Sequence, residues 1–187
     1  MIEEVRIRYD FKEASFKGSK VRRKETKLAQ LKGIFIDDDA FDALDADTII
    51  YEVEWHDNGL KEGTIGGLFL GVSHVHAGKI GNEFYMTRGH LHLKEDTGEY
   101  YWGLKGYGLL VMSGPNGESI IQKIEPQSLH YIPGNYAHRL VNTGAETLSV
   151  GACWQTESGH NYQASQNRFK KRIFSISDEV KVVDVSK

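Results

Sequence analysis

At 187 residues the chain is sized for one domain with an extra flank and can bury a core without disulfide staples. Apolar residues make up 40% and charged residues 26%, the formal net charge is −3, and the single cysteine, Cys153, excludes an intramolecular disulfide. That balance offers no electrostatic footprint for nucleic acid or an acidic membrane, and no apolar run is long enough to span a bilayer. The opening MIEEVRIRYD is acidic and alternating, unlike a secretory signal, so the expected location is cytoplasmic.

In chain order, basic Lys17–Lys27 reads as a solvated surface segment, and Lys27–Leu31 as a turn of helix or a loop. Asp37, Asp38 and Asp39 ahead of Ala40–Leu44 predict one short capped helix. From Ile49 to Trp55, residues 49, 51, 53 and 55 are apolar or aromatic with glutamates between them, the period of a half-buried strand. Similar runs occur at Leu68–Val75, Glu83–Thr87, Glu99–Leu104, Leu109–Ser113, Ser119–Ile124, Leu129–Ile132, Ala137–Asn142 and Leu148–Trp154. Gly78, Gly81, the Gly114–Gly117 turn and Pro133-Gly134-Asn135 punctuate them. Two more strand-like runs, Arg172–Ile176 and Val180–Val183, close the chain. Many short strands with regular turns predict an all-β sandwich or barrel. With no repeat or linker, the expectation is one domain over 1–187, its barrel core about 48–156, with an N-terminal arm packed on it.

The densest chemistry is Thr87-Arg88-Gly89-His90-Leu91-His92, followed by Glu99-Tyr100-Tyr101. Residues two apart on a strand face one side, so His90 and His92 can aim at one point. Lys94–Gly98 suits a turn that returns Glu99 to the same point, and His138 follows a Pro-Gly turn. Three imidazoles and one carboxylate form an N/O site for one divalent metal: Fe(II), Mn(II), Ni(II), Co(II) or Zn(II), with positions left open for substrate. The lack of thiolates argues against a closed structural zinc site. A lone H-x-H on a strand is more often two surface histidines, and the chain contains such a pair in His74-Val75-His76. That pair lacks a hairpin-spaced carboxylate other than Glu83 and has no third histidine assigned to it. We read it, with His56 and His130, as ordinary strand residues at the barrel mouth or surface.

The two blocks resemble the two cupin motifs: H-x-H, six residues, Glu, six residues, Gly; then Pro, four residues, His, three residues, Asn. Asn135 and Gln127 stand where the second motif normally has glycine. With Ile50–Val53, Gly78–Phe84, Tyr131-Ile132-Pro133, Tyr136–Asn142, Gly159-His160-Asn161-Tyr162 and Lys181–Asp184, the sequence resembles the cupin-type glucose-6-phosphate isomerases of prokaryotes over roughly Val21 to Asp184. The resemblance implies a homodimer of double-stranded β-helices (jelly-roll barrels) interconverting glucose 6-phosphate and fructose 6-phosphate, with Fe(II) as the first choice of metal. It also implies neutral phosphate donors. Ser73 stands where relatives usually have Thr, Thr87, Gly89 and Tyr101 match, and Tyr51 is a further substrate contact. By the same resemblance His160 and Tyr162 line the pocket, where His160 can assist sugar-ring opening.

Moving a carbonyl between C1 and C2 requires polarised oxygens and a mobile hydrogen. Glu99 is suited to shuttle a proton through an enediolate; a direct hydride shift leaves it a ligand only. Trp154 is either a pocket wall or core packing, and Arg88 and Arg139 are expected to point away from the ligands. The competing functions are a cupin Fe(II) dioxygenase with the same four ligands and a non-catalytic sugar-phosphate-binding cupin.

Overall fold

A computed structural model describes residues 4, 5, 7–165 and 167–185; residues 1–3 and 6 of the opening run lie outside them. The chain opens with a hairpin, β1 (Ile7–Asp10) and β2 (Ser15–Gly18), then β3 (Val21–Lys27), a 3-10 turn at Leu28–Leu31, and α1 (Asp38–Asp42). The barrel strands follow: β4 (Ile49–His56), β5 (Leu68–Val75), the short pair β6 (Lys79–Ile80) and β7 (Glu83–Phe84), and β8 (Glu99–Lys105). Next come β9 (Gly108–Ser113), β10 (Ser119–Ile124), β11 (Leu129–Ile132), β12 (Ala137–Asn142) and β13 (Leu148–Gln155). A single helical turn, α2 (Tyr162–Ser165), leads to β14 (Lys171–Ile176) and β15 (Glu179–Asp184).

One sheet has the order β11-β8-β13-β5-β4-β3, a second β10-β9-β12, and a third β15-β14-β7-β6. Every registered pair in them is antiparallel. Val75, Val150 and Ile132 of the first sheet and Leu110, Met112 and Leu140 of the second belong to one buried cluster, so the sheets close on a shared core as a cupin-type β-barrel. β9 and β12 are buried along their whole length, which requires cover on both faces. The segment before the barrel contributes to that cluster through Leu28, Leu31, Ile34, Phe35 and Phe41. Truncating a side chain as deep as Leu110 costs about 2–5 kcal/mol.

The capped helix forms as its sequence predicts: the Asp37 carboxylate accepts the Ala40 N–H at 2.9 Å. Lys17–Lys27 is different from expectation. Its second half is β3, the edge strand of the largest sheet, registered against β4 from Val21↔His56 to Lys27↔Ile49. Four of its seven residues, from Arg22 to Glu25, are exposed. An edge strand with polar residues on both faces lacks the apolar alternation by which strands are read, and its charges suit the management of an open edge.

Candidate active site

Strand alternation builds the site's wall. On β4, Tyr51, Val53 and Trp55 face inward; their registered partners on β5 are Val75, Ser73 and Gly71. β13 continues the rows with Val150 opposite Ser73 and Ala152 opposite Gly71, and Ala152 in turn stands opposite Tyr101 on β8. A cavity of about 400 Å³ opens on this face. Tyr51, Ser73, Thr87, Gly89, His90, Glu99, Tyr101, Trp154, His160 and Tyr162 all line it. Thus every substrate and catalytic residue expected from the sequence reaches one cavity.

At the floor lies the four-residue cluster, with His90 and Glu99 lining the cavity and His92 and His138 buried behind them. His90, His92, Glu99 and His138 each offer one ligand atom within 4.8 Å of the others. Glu99 begins β8 and His138 lies on β12, so two sheets contribute one ligand each. His90 joins them through a two-bond bridge: its N–H donates to the His138 carbonyl at 3.1 Å, and the His138 N–H donates back at 2.9 Å. The segment 90–92 is therefore held by isolated bridges where a continuous strand was expected, yet the two-residue alternation still turns both imidazoles inward.

The histidine tautomers follow from their backbone partners. His92 Nδ1 lies 2.7 Å from the Thr97 carbonyl, and His138 Nδ1 lies 3.0 Å from the Tyr136 carbonyl. A carbonyl oxygen only accepts, so each Nδ1 carries the proton and each Nε2 presents a lone pair to the cluster. Both Nε2 atoms and Glu99 Oε1 are buried without a hydrogen-bond partner. His138 Nε2 is 2.5 Å and His92 Nε2 3.4 Å from Glu99 Oε1. Buried, unpartnered and converging acceptors are unfavourable alone, and a shared cation resolves all three. The donor set fits an open N/O metal site.

Electrostatics agree with the geometry. Burial opposes the charge on Glu99; imidazolium forms of His138 and His92 would overcome it and hold the carboxyl well below the ordinary carboxylate range, and with the lone-pair tautomers a bound cation would take over that part. Burial keeps the His90 imidazole neutral, its basicity far below the usual value. Burial also pushes the Tyr101 phenol well above its usual value, with the Glu99 charge adding to it, so the phenol keeps its proton beside that carboxylate. His160 stacks on Tyr162 and lies against His90, with ring centroids 5.8 Å and 4.5 Å apart, and burial lowers its basicity.

The neutral-donor wall has specific chemistry. Thr87 Oγ1 accepts the Leu140 N–H at 3.0 Å, which leaves its own hydroxyl proton free to donate into the cavity. Gly89 has φ +77°, and a Cβ there would meet Phe169 Cζ at 2.8 Å. Only glycine meets both constraints. Arg88 and Arg139 turn away as expected: Arg88 donates to the Gln30 carbonyl, and Arg139 is buried with its guanidinium 3.6 Å from the Phe169 ring centroid. Trp154 is a pocket wall that also packs against Phe69. Lys24, Trp55, Glu62 and Thr156 line the cavity too and were not anticipated. Lys24 sits on the unrecognised edge strand, while Glu62 and Thr156 lie in loops with no motif to mark them.

Of the four remaining histidines, His74, His76 and His130 have side-chain hydrogen-bond partners, and His56 has none among the described residues. His74 Nδ1 is 2.9 Å from Ser149 Oγ, and His76 Nε2 is 3.0 Å from Glu52 Oε1, both on the sheet's outer face. His130 is buried between Gln122 and Ser128.

A model of the glucose-6-phosphate isomerase (GPI) family matches residues 25–186. The chain is 36% identical over 160 residues to the glucose-6-phosphate isomerase of Thermococcus kodakarensis, covering 84% of this chain and 83% of that one. It is 36% identical over 187 residues to that of Pyrococcus abyssi, covering 97% and 95%. To that of Sinorhizobium medicae it is 34% identical over 158 residues, covering 82% and 72%. No helix among the described residues is long and apolar enough to cross a membrane.

Proposed function

The chain belongs to the glucose-6-phosphate isomerase family, in its cupin-type branch, and from that premise we propose that it interconverts glucose 6-phosphate and fructose 6-phosphate with one divalent metal held by His90, His92, Glu99 and His138. The observation that carries the reading is the convergence of unpartnered His92 Nε2, His138 Nε2 and Glu99 Oε1 just behind the floor that Glu99 and His90 give to the cavity lined by the sugar contacts. Fe(II), or failing that Mn(II), Zn(II), Ni(II) or Co(II), would supply Lewis-acid polarisation of the substrate's C1 and C2 oxygens.

The chain's own groups do the rest. Thr97 and Tyr136 fix the tautomers of His92 and His138 through their carbonyls. Glu99, ionised at rest, takes the proton from one carbon and, as the carboxylic acid, returns it to the other on the same face, the role of a general base and then acid. Tyr101 keeps its phenolic proton against Glu99 and orients that carboxylate. Ser73, Thr87 and the Gly89 N–H hold the phosphate from the cavity wall, with Tyr51 and Tyr101 beside them. His160 stands against His90 with Tyr162 stacked behind it, placed to move a proton during ring opening. Trp154 and Phe69 exclude water from one side.

The active unit is a cytoplasmic homodimer with one ion per subunit. In its support, Leu70, Tyr100 and Tyr131 are exposed in one registered row on the outer face of the large sheet. Light scattering that returned the mass of one chain at working concentration would remove the dimer from this account.

The function is tested by assaying isomerisation before and after chelation, with the metal content measured by elemental analysis. Activity should vanish with the metal and return on adding Fe(II) or Mn(II). Full turnover by metal-free protein would sink the metal-dependent reading while leaving the isomerase activity standing.

A further inference from the structure

The wall assigned to the phosphate offers hydroxyls and an N–H, yet a phosphate monoester carries nearly two negative charges at neutral pH. Among the described residues, Lys24 is the one lysine or arginine that lines the cavity. It occupies the inward face of β3, registered opposite Val53, which is registered opposite Ser73. All three belong to one row across the sheet and all three line the cavity. Two strand spacings separate Lys24 from Ser73, about 10 Å between Cα atoms. The four-carbon stem of a lysine covers more than half of that gap, and a phosphate seated on Ser73 fills the remainder.

The other basic residues of β3 are already engaged. Arg22 pairs with Asp57 at 2.5 Å, Arg23 with Glu54 at 3.2 Å, and Lys27 with Asp47 at 2.8 Å. Lys24 has no carboxylate partner among the described residues, although it shares that strand. The acids of the cavity are Glu99 at the floor and Glu62 from the 57–67 loop. Neither is ion-paired with Lys24 among the described residues.

We propose that Lys24 is a phosphate-binding residue that closes the cavity mouth over the substrate dianion and makes phosphorylation a condition of tight binding. This rests on the phosphate wall proposed above and deepens it. Its ammonium swings from solvent onto the outer phosphate oxygens, opposite the hydroxyls that hold the inner ones. Because the group is exposed, its contribution is screened by salt.

The test uses the metal-loaded enzyme with Lys24→Gln and Lys24→Arg. Kinetic constants are measured for glucose 6-phosphate, and inhibition constants for inorganic phosphate and for a sugar acid with and without its phosphate. Lys24→Gln should raise KM and the inhibition constants of the phosphorylated probes about 3- to 10-fold, the scale of one charge-assisted contact in solvent. It should leave kcat and metal content unchanged and flatten the dependence of KM on ionic strength. Lys24→Arg should recover most of the loss. Unchanged KM and phosphate inhibition in Lys24→Gln would overturn the proposal. So would an equal loss for the sugar acid without a phosphate, because the effect would then not read phosphate at all. Thr87→Ala, measured alongside, separates the two levels: if it raises KM while Lys24→Gln does not, the wall stands and Lys24 is dismissed. If Thr87→Ala leaves KM unchanged, the wall itself falls.

Discussion

The chain contains two H-x-H pairs, and the structure gives them opposite fates. His90 and His92 face inward, where His138 and Glu99 meet them with unpartnered atoms. His74, on the outward face of β5, and His76, one residue past its end, are each answered by a single carboxylate, Glu54 at 3.7 Å and Glu52 at 3.0 Å. Spacing is the same in both, so it cannot be what makes a metal site. The difference is convergence from independent elements. At the inner pair a β8 carboxylate and a β12 imidazole reach one point, whereas at the outer pair each histidine meets its own glutamate from β4.

The largest expected effect tests that contrast directly. His90→Ala or His138→Ala should strip the metal and lower turnover by more than about 100-fold, the loss that removing a supporting group alone can cause. His74→Ala and His76→Ala should keep full metal and normal kcat. Stoichiometric metal with normal turnover in a His90 or His138 variant, read by elemental analysis and a coupled assay, would erase the distinction.

Glu99 comes next, because it alone joins the cluster to proton chemistry. Glu99→Gln keeps shape and an oxygen donor but cannot act as a base, and general-base loss costs about 10²–10⁴ in rate. Turnover of the wild type in D₂O should place deuterium at C1 or C2, since a carboxylic acid exchanges with solvent while it holds the proton. A Glu99→Gln protein with full metal, near-normal kcat and no deuterium in its product would leave Glu99 as a ligand and hydride transfer as the mechanism.

A smaller effect is expected on the wall. Thr87→Ala should raise KM for the sugar phosphate several-fold, in line with the roughly 1 kcal/mol of one neutral hydrogen bond, without loss of metal. Tyr101→Phe should add a decrease in kcat, because its phenol lies against Glu99. If both variants have wild-type kinetics, the two hydroxyls are barrel filling.

The inner site was legible because its ligands are side chains with rare identities at strand spacing: the three histidines and the glutamate are named by sequence alone. What was not legible is what holds them. The carbonyls of Thr97 and Tyr136 set the tautomers, yet every residue has a carbonyl and no sequence pattern marks these two. Lys24 was missed for a related reason. VRRKETK pairs through its backbone at a sheet edge, where burial does not impose an apolar alternation. The partners of His74 and His76 were equally hidden, because cross-strand register decides which residues stand opposite and diagonal: His74 is registered against Glu52 but meets Glu54, and register is not written in either strand singly.

The outer pair carries the smallest prediction, and it concerns stability. Glu54 is buried under the N-terminal hairpin, where its carboxylate accepts the Phe16 N–H at 2.6 Å and the Arg23 Nε–H at 3.2 Å, with His74 nearby. Burial opposes its charge, but His74 and the Phe16 N–H outweigh that and hold the carboxyl below its ordinary value. Tyr9, half-buried beside it with its hydroxyl covered, has its phenol pushed up to about 12 by burial and then by Glu54, so it remains neutral throughout. A carboxyl depressed by folding adds stability that is complete above its unfolded value, near 4.3, and disappears as pH falls through the folded one. Glu54→Gln should therefore cost about 1–3 kcal/mol at pH 7, the scale of hydrogen bonds to a charged acceptor, and this deficit should close as pH falls below about 4. Urea midpoints for both proteins from pH 7 to pH 3 give the gap directly, and hydrogen exchange at the Phe16 amide localises it to the hairpin. A gap that stays constant across that range would mean that Glu54 contributes shape and not charge. The outer histidine pair would then lack even the electrostatic role that distinguishes it from ordinary strand surface.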